Sequence, residues 1–413
     1  MARILILLLL LCSAASQLAA ATATSKKKTT ARKPVAVKSA ASKKPAAKKA
    51  VVTRSARSRT IVKKKTTVVR VSTRKGRLRV RRAYYNPWTE PSFADSTQGD
   101  IIDGDDLTVR RAAVEALGGY NGTVVVADPN TGRILTIVNQ RTAYKSGFIP
   151  CSTIKVVVGL AALSEGLIER TTPMKLSRRE TMDLTGALAT SNNPFFARLG
   201  QQLGFEKVSH YARLFGLGEK ATLGLEEEQP GHLPSAPPKF GGMGMMCSFG
   251  EGITLTPLQL AAMLSSLANG GTLYYLQYPK SPMEVEAFVP RIKRQLDVAP
   301  WIPEVKPGMM GAVAYGTAQR AGFDPNEPIL GKTGTCTDRQ SPTHLGWFGS
   351  FNDVEKNNLV VVVLLTGGRH VNGPVASGVA GEVYRRLSGQ RYFAQSRPIS
   401  PLQLVSQQTC CVQ

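Results

Sequence analysis

The sequence predicts an α+β body: one antiparallel sheet assembled from both ends of the ordered chain and flanked by helices, plus an all-helical lobe between them. Three observations carry this. Residues 122–139, "GTVVVADPNTGRILTIVN", alternate β-branched runs around a Pro-Asn-Thr-Gly turn. Three further strand-like runs, "PILGKTGTCTD", "HLGWFGSF" and "LVVVVLLTGG", lie in the C-terminal third. The long middle between them carries helical spacing, and strands at both ends around a helical middle favour a single mixed architecture.

Of the 413 residues, the first 90 hold 24 of the 53 Lys and Arg and one acidic residue, Glu90, so almost the whole net charge of +25 sits there. The rest is a near-neutral globular body. At the start, "MAR", the apolar "ILILLLLL" and the small "SAASQLAAATA" have the three-part layout of a secretory signal peptide over residues 1–23. The apolar core is far short of the roughly 20 residues that span a bilayer. An uncleaved segment would leave the chain anchored, because residues 4–23 contain no charge. Leu11 before Cys12 argues against lipidation. The body is therefore expected in the periplasm or associated with the cell envelope.

Residues 24–100 read as a Lys/Arg/Ala/Pro-rich arm and linker. The low-complexity part, 24–82, combines few aromatics with high charge and is expected to stay disordered. A polar join follows over 83–100, with ordered sequence from about Asp103, a domain over 101–390 and a tail over 391–413. "LTVRRAAVEALGG" is a helix closed by Gly118 and Gly119. After the first strand pair the chain turns helical to about residue 216. In "TPLQLAAMLSSLANGG", Thr256 caps a helix, Pro257 opens it, Gln259 completes a capping box and Gly270 ends it. "GMGMM" at 242–246 reads as loop or core, and "PVASGVAGEVYRRL" as the last helix.

Three short motifs could carry chemistry. "STIK" places Ser152 and Lys155 three apart on a helix start, where they share a face. Ser-x-x-Lys also occurs from Ser25 and Ser72, inside the lysine-rich arm where such matches are cheap. "TSNNPFF" supplies Ser191-Asn192-Asn193, and a second Ser-x-Asn occurs at Ser350. "GKTGT" supplies Lys332-Thr333-Gly334-Thr335, and Lys-Thr-Gly occurs once. Alone, Ser152 would more often be a helix cap, and Asn193 before Pro194 is a good capping pair. Only Ser152, Ser191 and Lys332 combine all three motifs in order, on a helix start, a helix–helix loop and a strand. A lysine at its ordinary pKa of about 10.4 cannot act as a base. The apolar "VVVGLAAL" helix and the second cation, Lys332, would both favour a neutral Lys155.

With these motifs the chain resembles the transpeptidase domain of penicillin-binding proteins, of the serine β-lactamase/D,D-peptidase fold. The likeness extends over roughly residues 105–390 through "GTVVVADPNTGRILTIVN", "SFGEGITLTPLQLAAMLSSLANGG", "ILGKTGT" and "GWFGSF". It implies an acyl-serine D,D-transpeptidase on D-Ala-D-Ala stem peptides of peptidoglycan, with β-lactams as covalent inhibitors and no cofactor. By the resemblance Ser152 is the nucleophile, Lys155 its base and Ser191 a proton relay. Asn193 holds the substrate amide, while Lys332, Thr333, Gly334 and Thr335 line the strand that binds the terminal carboxylate. The N–H groups of Ser152 and Thr335 form the oxyanion hole. The arm leaves no room for a further folded domain, the stretch from Lys155 to Ser191 is short, and Cys151 stands where the family has glycine. These departures leave transpeptidation and D,D-carboxypeptidation both open. A class D-like β-lactamase, a β-lactam sensor and a wall-binding protein are the rival readings; Asn193 in the middle motif speaks against the first.

Other features exclude further classes. A phosphate loop needs glycine where Asn326 stands. Four histidines without paired spacing, and no Cys-x-x-Cys pair, give no metal site. Cys151 and Cys336 flank two motifs and are expected as small apolar fillers, a link between them being the alternative. Behind a signal peptide, the arm is expected to hold anionic envelope polymers or a lipid surface rather than nucleic acid.

Overall fold

The computed structural model describes residues 70–71, 79–80, 88–145, 147–338 and 342–394. The chain divides into two compact units, Met1–Ala83 and Tyr84–Gln413. In the first, Arg70–Val71 pairs antiparallel with Arg79–Val80, so the stretch expected to be without structure contains one short strand pair. The signal peptide and most of the arm lie outside the described residues.

The second unit is built on a five-stranded antiparallel sheet. Its spatial order is Ile134–Val138, Gly122–Ala127, Val360–Gly367, Thr343–Asn352 and Ile329–Asp338. Strands from both ends of the domain thus interleave, as the sequence predicts, and the Lys332 strand lies at an edge. Alternation decides which core each side chain joins. Val361, Val363 and Leu365 pack with helices Leu107–Leu117 and Gly373–Gly389. Val360, Val362 and Leu364 face the opposite core with Trp347, Phe351 and helix Pro257–Ala268. Burial on both faces explains why the central strand reads as an unbroken apolar run.

Helix ends follow sequence chemistry. Asp106 caps Leu107–Leu117 through the N–H groups of Thr108 and Val109, and Gly118 ends it at φ 56°. Thr256 and Gln259 form the expected capping box on Pro257–Ala268. A helical lobe packs beyond the second core, with Leu184–Ala189, Asn193–Leu214 (broken at Gly204), Gly242–Phe249 and Ile302–Ala314.

Three expectations need correction. Ordered structure begins before Asp103: residues 88–100, within the join expected over 83–100, are seated on the body together with Ile101, as Asn121 N–H donates to Ser92 O, Ala94 N–H to Gly119 O and Ile101 N–H to Gln140 Oε1. The middle of the chain is not continuously helical, because Met174–Lys175 pairs with Thr181–Met182. "GMGMM" opens a helix rather than a loop. Beyond residue 390, Tyr392–Ala394 forms a turn with Phe393 buried.

Candidate active site

Ser152 sits in a tight 3-10 turn, Cys151–Ile154, that runs straight into helix Lys155–Ser164. Neither segment has a side-chain cap, so the bland reading of Ser152 as an N-cap fails. Its hydroxyl lies 2.9 Å from Lys155 Nζ and 3.4 Å from the carbonyl of Ser248. Lys155 is fully buried. Its Nζ lies 2.9 Å from Ser191 O, 3.1 Å from Ser191 Oγ and 2.6 Å from Asn193 Oδ1. Phe196 and Phe249 close over it with ring centroids at 5.7 and 5.9 Å.

Ser191 occupies the loop between Leu184–Ala189 and Asn193–Leu214 at φ 58°. A non-glycine residue held there costs about 1–2 kcal/mol, and such strain recurs where a side chain must be aimed. Its hydroxyl also meets Lys332 Nζ at 2.8 Å. Ser191 Oγ is therefore shared by two lysines from opposite walls. The helix cap falls to Asn192, whose Oδ1 accepts from Phe195 N–H at 2.9 Å. That leaves Asn193 free to turn its side chain to Lys155.

On the edge strand, alternation puts Lys332, Gly334 and Cys336 on the face toward the Ser152 turn. A Cβ on Gly334 would meet Pro150 O at 3.0 Å and Cys151 Cβ at 3.2 Å, so glycine permits this approach. Thr333 and Thr335 project to the other face. Thr333 Oγ1 lies 2.6 Å from Thr317 Oγ1, and Thr335 Oγ1 accepts from Gly373 N–H at 2.8 Å. Thr333 is buried and Thr335 exposed.

Burial lowers Lys155 from its ordinary value to about 7. Lys332 is held well below its ordinary value, first by burial and then by the Lys155 charge. Among the described residues neither lysine has a carboxylate at ion-pair distance. Lys332 thus feels the Lys155 charge in addition to burial, whereas burial is what lowers Lys155. A neutral Lys155 amine has two N–H donors and one lone pair. Ser191 O and Asn193 Oδ1 can take the donors, and the lone pair can accept the Ser152 hydroxyl proton.

Six of the eight residues expected from sequence (Ser152, Lys155, Ser191, Asn193, Lys332 and Gly334) thus meet in one place, whereas the side chains of Thr333 and Thr335, expected to bind substrate, lie on the other face of the strand because alternation turns them to Thr317 and Gly373. The chance Ser-x-Asn at Ser350 lies within the sheet, donating to Val361 O. The Ser25 and Ser72 copies lie outside the described residues. Sequence reasoning missed Ser248 and Gly373, which meet the site through backbone groups, and Thr317, which meets it through its hydroxyl; no spacing reveals these contacts. It also set aside Cys151 and Cys336, which form a disulfide with Cα atoms 5.7 Å apart. Each stands beside a motif, so convergence of the motifs was signal enough. Cys247 is free and buried, and Cys12, Cys410 and Cys411 lie outside the described residues.

A sheet walled by helices, with a serine and two buried lysines at one edge strand, defines the class of penicillin-binding transpeptidase domains. The transpeptidase domain of Burkholderia pseudomallei penicillin-binding protein 3 superimposes with a TM-score of 0.57 at 22% identity, covering 69% of this chain and 92% of that one. Pseudomonas aeruginosa PBP2 in complex with WCK 5153 gives 0.57 at 24%, covering 71% and 78%. The family model "Penicillin binding protein transpeptidase domain" matches residues 122–388, and the chain belongs to that family. Stage V sporulation protein D of Bacillus subtilis is 27% identical over 281 residues, 60% of this chain and 43% of its own length. Peptidoglycan D,D-transpeptidase MrdA of Haemophilus influenzae is 24% identical over 356 residues, 66% and 54%. The chain spans about half the length of these curated relatives.

Proposed function

We propose that this chain is an acyl-serine D,D-transpeptidase that cross-links peptidoglycan through D-Ala-D-Ala stem peptides, and that Ser152 is its nucleophile. One observation carries the reading: Lys155 Nζ, buried and lowered to about 7, contacts Ser152 Oγ, Ser191 Oγ and Asn193 Oδ1 together.

Neutral Lys155 takes the hydroxyl proton as Ser152 Oγ attacks the carbonyl between the two D-alanines. Backbone N–H groups of Ser152 and Thr335 hold the developing oxyanion; one such donor is worth about 10²–10³ in rate. As the C–N bond breaks, the proton passes from Lys155 through Ser191 to the departing D-alanine amine. Lys332 holds the terminal carboxylate and Asn193 the substrate amide, while Thr333 and Thr335, turned to Thr317 and Gly373, brace the strand. The acceptor amine of a second stem peptide then attacks the acyl-enzyme, giving up a proton by the same relay, and Ser152 is regenerated. Water in place of that amine yields carboxypeptidation. Intact-mass analysis with a penicillin tests the reading: a stable adduct on the wild-type protein and none on Ser152→Ala is expected. No adduct on folded wild type would overturn it, and an adduct lost within seconds would indicate a β-lactamase.

The working place is the cell envelope, reached through the signal peptide. A disulfide beside the nucleophile supports an oxidising compartment. The basic arm tethers the enzyme to anionic polymers or lipid there. Deletion of residues 24–82 is expected to abolish binding to isolated envelopes, and undiminished binding would remove the tether.

A further inference from the structure

Cys151 immediately precedes Ser152, and Cys336 immediately follows Thr335; the bond between them joins the two walls of the site across 185 residues of sequence. We propose that this disulfide is a positioning device that fixes the spacing of the Ser152 and Thr335 N–H groups, the two oxyanion donors of the reading above, on which the proposal rests.

Three observations bear on it. First, the edge strand leaves the core where the bond lies. From Ile329 to Gly334 every residue is buried, whereas Thr335 and Thr337 are exposed. This strand has only Thr343–Asn352 as a sheet neighbour. Beyond Gly334, packing alone gives its Thr335 end little support on the cleft side, and Cys336 ties that end to the Ser152 turn. Second, Cys151 has φ 52°, a left-handed conformation that glycine adopts freely and a cysteine adopts at about 1–2 kcal/mol. A side chain kept at that cost is here the anchor of the covalent link. Third, the bond joins the neighbours of both donors. Each N–H is one residue from a bonded half-cystine, so opening the link frees the two donors from each other while leaving Lys155, Ser191 and Lys332 in their own contacts.

A disulfide that only stabilised the fold would act through chain entropy and leave the chemistry of folded molecules untouched. The test uses the full chain at a temperature where every form is folded by circular dichroism. Non-reducing intact mass verifies the bond. The limiting acylation rate and the preceding non-covalent affinity for a penicillin are measured on oxidised wild type, wild type reduced with a phosphine, Cys336→Ser, and Cys151→Gly/Cys336→Ser. The limiting rate is expected to fall about 10–100-fold in all three unlinked forms, a partial loss of one oxyanion donor, with non-covalent affinity within about threefold. Affinity for an arylboronic acid, whose tetrahedral adduct places an oxygen in the same hole, is expected to fall in parallel.

Unlinked, folded protein acylating within twofold of the oxidised form would overturn the proposal. So would recovery of the rate in Cys151→Gly/Cys336→Ser, which relieves the left-handed strain without restoring the link. Either result leaves the catalytic reading standing. Absence of any adduct on oxidised wild type would instead remove the catalytic reading and the clamp together.

Discussion

The body contains two clusters of buried charge, built differently. Near the N-terminal end of the sheet, Arg110 donates to Asp100 at 2.7 Å and to Ile137 O at 2.6 Å, with Asp105 at 3.8 Å. Asp105 also accepts from Thr136 at 2.6 Å and Tyr278 at 2.7 Å. Beside Ser152, Lys155 and Lys332 are both buried, and among the described residues they meet neutral oxygens and the rings of Phe196 and Phe249 rather than carboxylates. In the first cluster one cation meets two carboxylates, and the arrangement pins residues 100–106 to the sheet. In the second, two cations meet none, and the cost appears as lowered proton affinity. Paired charge holds structure; unpaired charge holds a base in its neutral form.

The sharpest way to break this comparison is to delete one cation from each cluster. Lys155→Ala is expected to lower the penicillin acylation rate about 10²–10⁴-fold, the usual worth of a positioned base, with the protein still folded. Arg110→Met strands buried carboxylates and is expected to cost about 3–5 kcal/mol of stability, read by denaturant melts. The acylation rate per folded molecule should then stay within about threefold. Loss of chemistry in Arg110→Met at full folding would show that the two clusters are not separable.

The pH profile is the next largest effect. Only unprotonated Lys155 accepts the Ser152 proton, and its pKa is lowered to about 7. Acylation should therefore rise about tenfold per pH unit below 7 and level off above it. Burial is the cause of that shift, and Lys332→Gln keeps a donor toward Ser191, so the midpoint should stay near 7. A midpoint moved upward would show that charge on Lys332 also holds Lys155 down.

Much of this was legible in the sequence, for physical reasons. β-Branched runs mark the first strand pair and a continuous apolar run marks the central strand, while capping chemistry fixes Thr256 and Gly118 as helix ends. The three motifs gave the residues that converge. Illegible were contacts set by tertiary packing. Gly242–Phe249 has two glycines and weak helix propensity, yet it packs on Asn193–Leu214, where Gly200 makes room for Cys247. Thr317 meets Thr333 only because the turn after Ile302–Ala314 lies under the edge strand. The Cys151–Cys336 bond was legible only as the alternative to two apolar fillers, since it follows from the convergence of the two motifs beside which the cysteines stand.

The finest comparison lies between two adjacent residues with the same side chain. Asn192 and Asn193 differ only in where the backbone points them: Asn192 is extended at φ −65°, ψ 115° and caps the helix, while Asn193 is the first helical residue and reaches Lys155 at 2.6 Å. Asn193→Ala removes one of the two acceptors that orient the neutral amine and is expected to slow acylation about tenfold, the kinetic equivalent of one hydrogen bond between neutral groups. Asn192→Ala is expected to lower stability by about 1 kcal/mol and to change the acylation rate by less than about twofold. Both are measured on the same preparations, by melts and by adduct formation. If Asn192→Ala proved the slower enzyme, the cap would be what holds Ser191 in its left-handed turn, and the motif would act through the loop rather than through the side chain at Asn193.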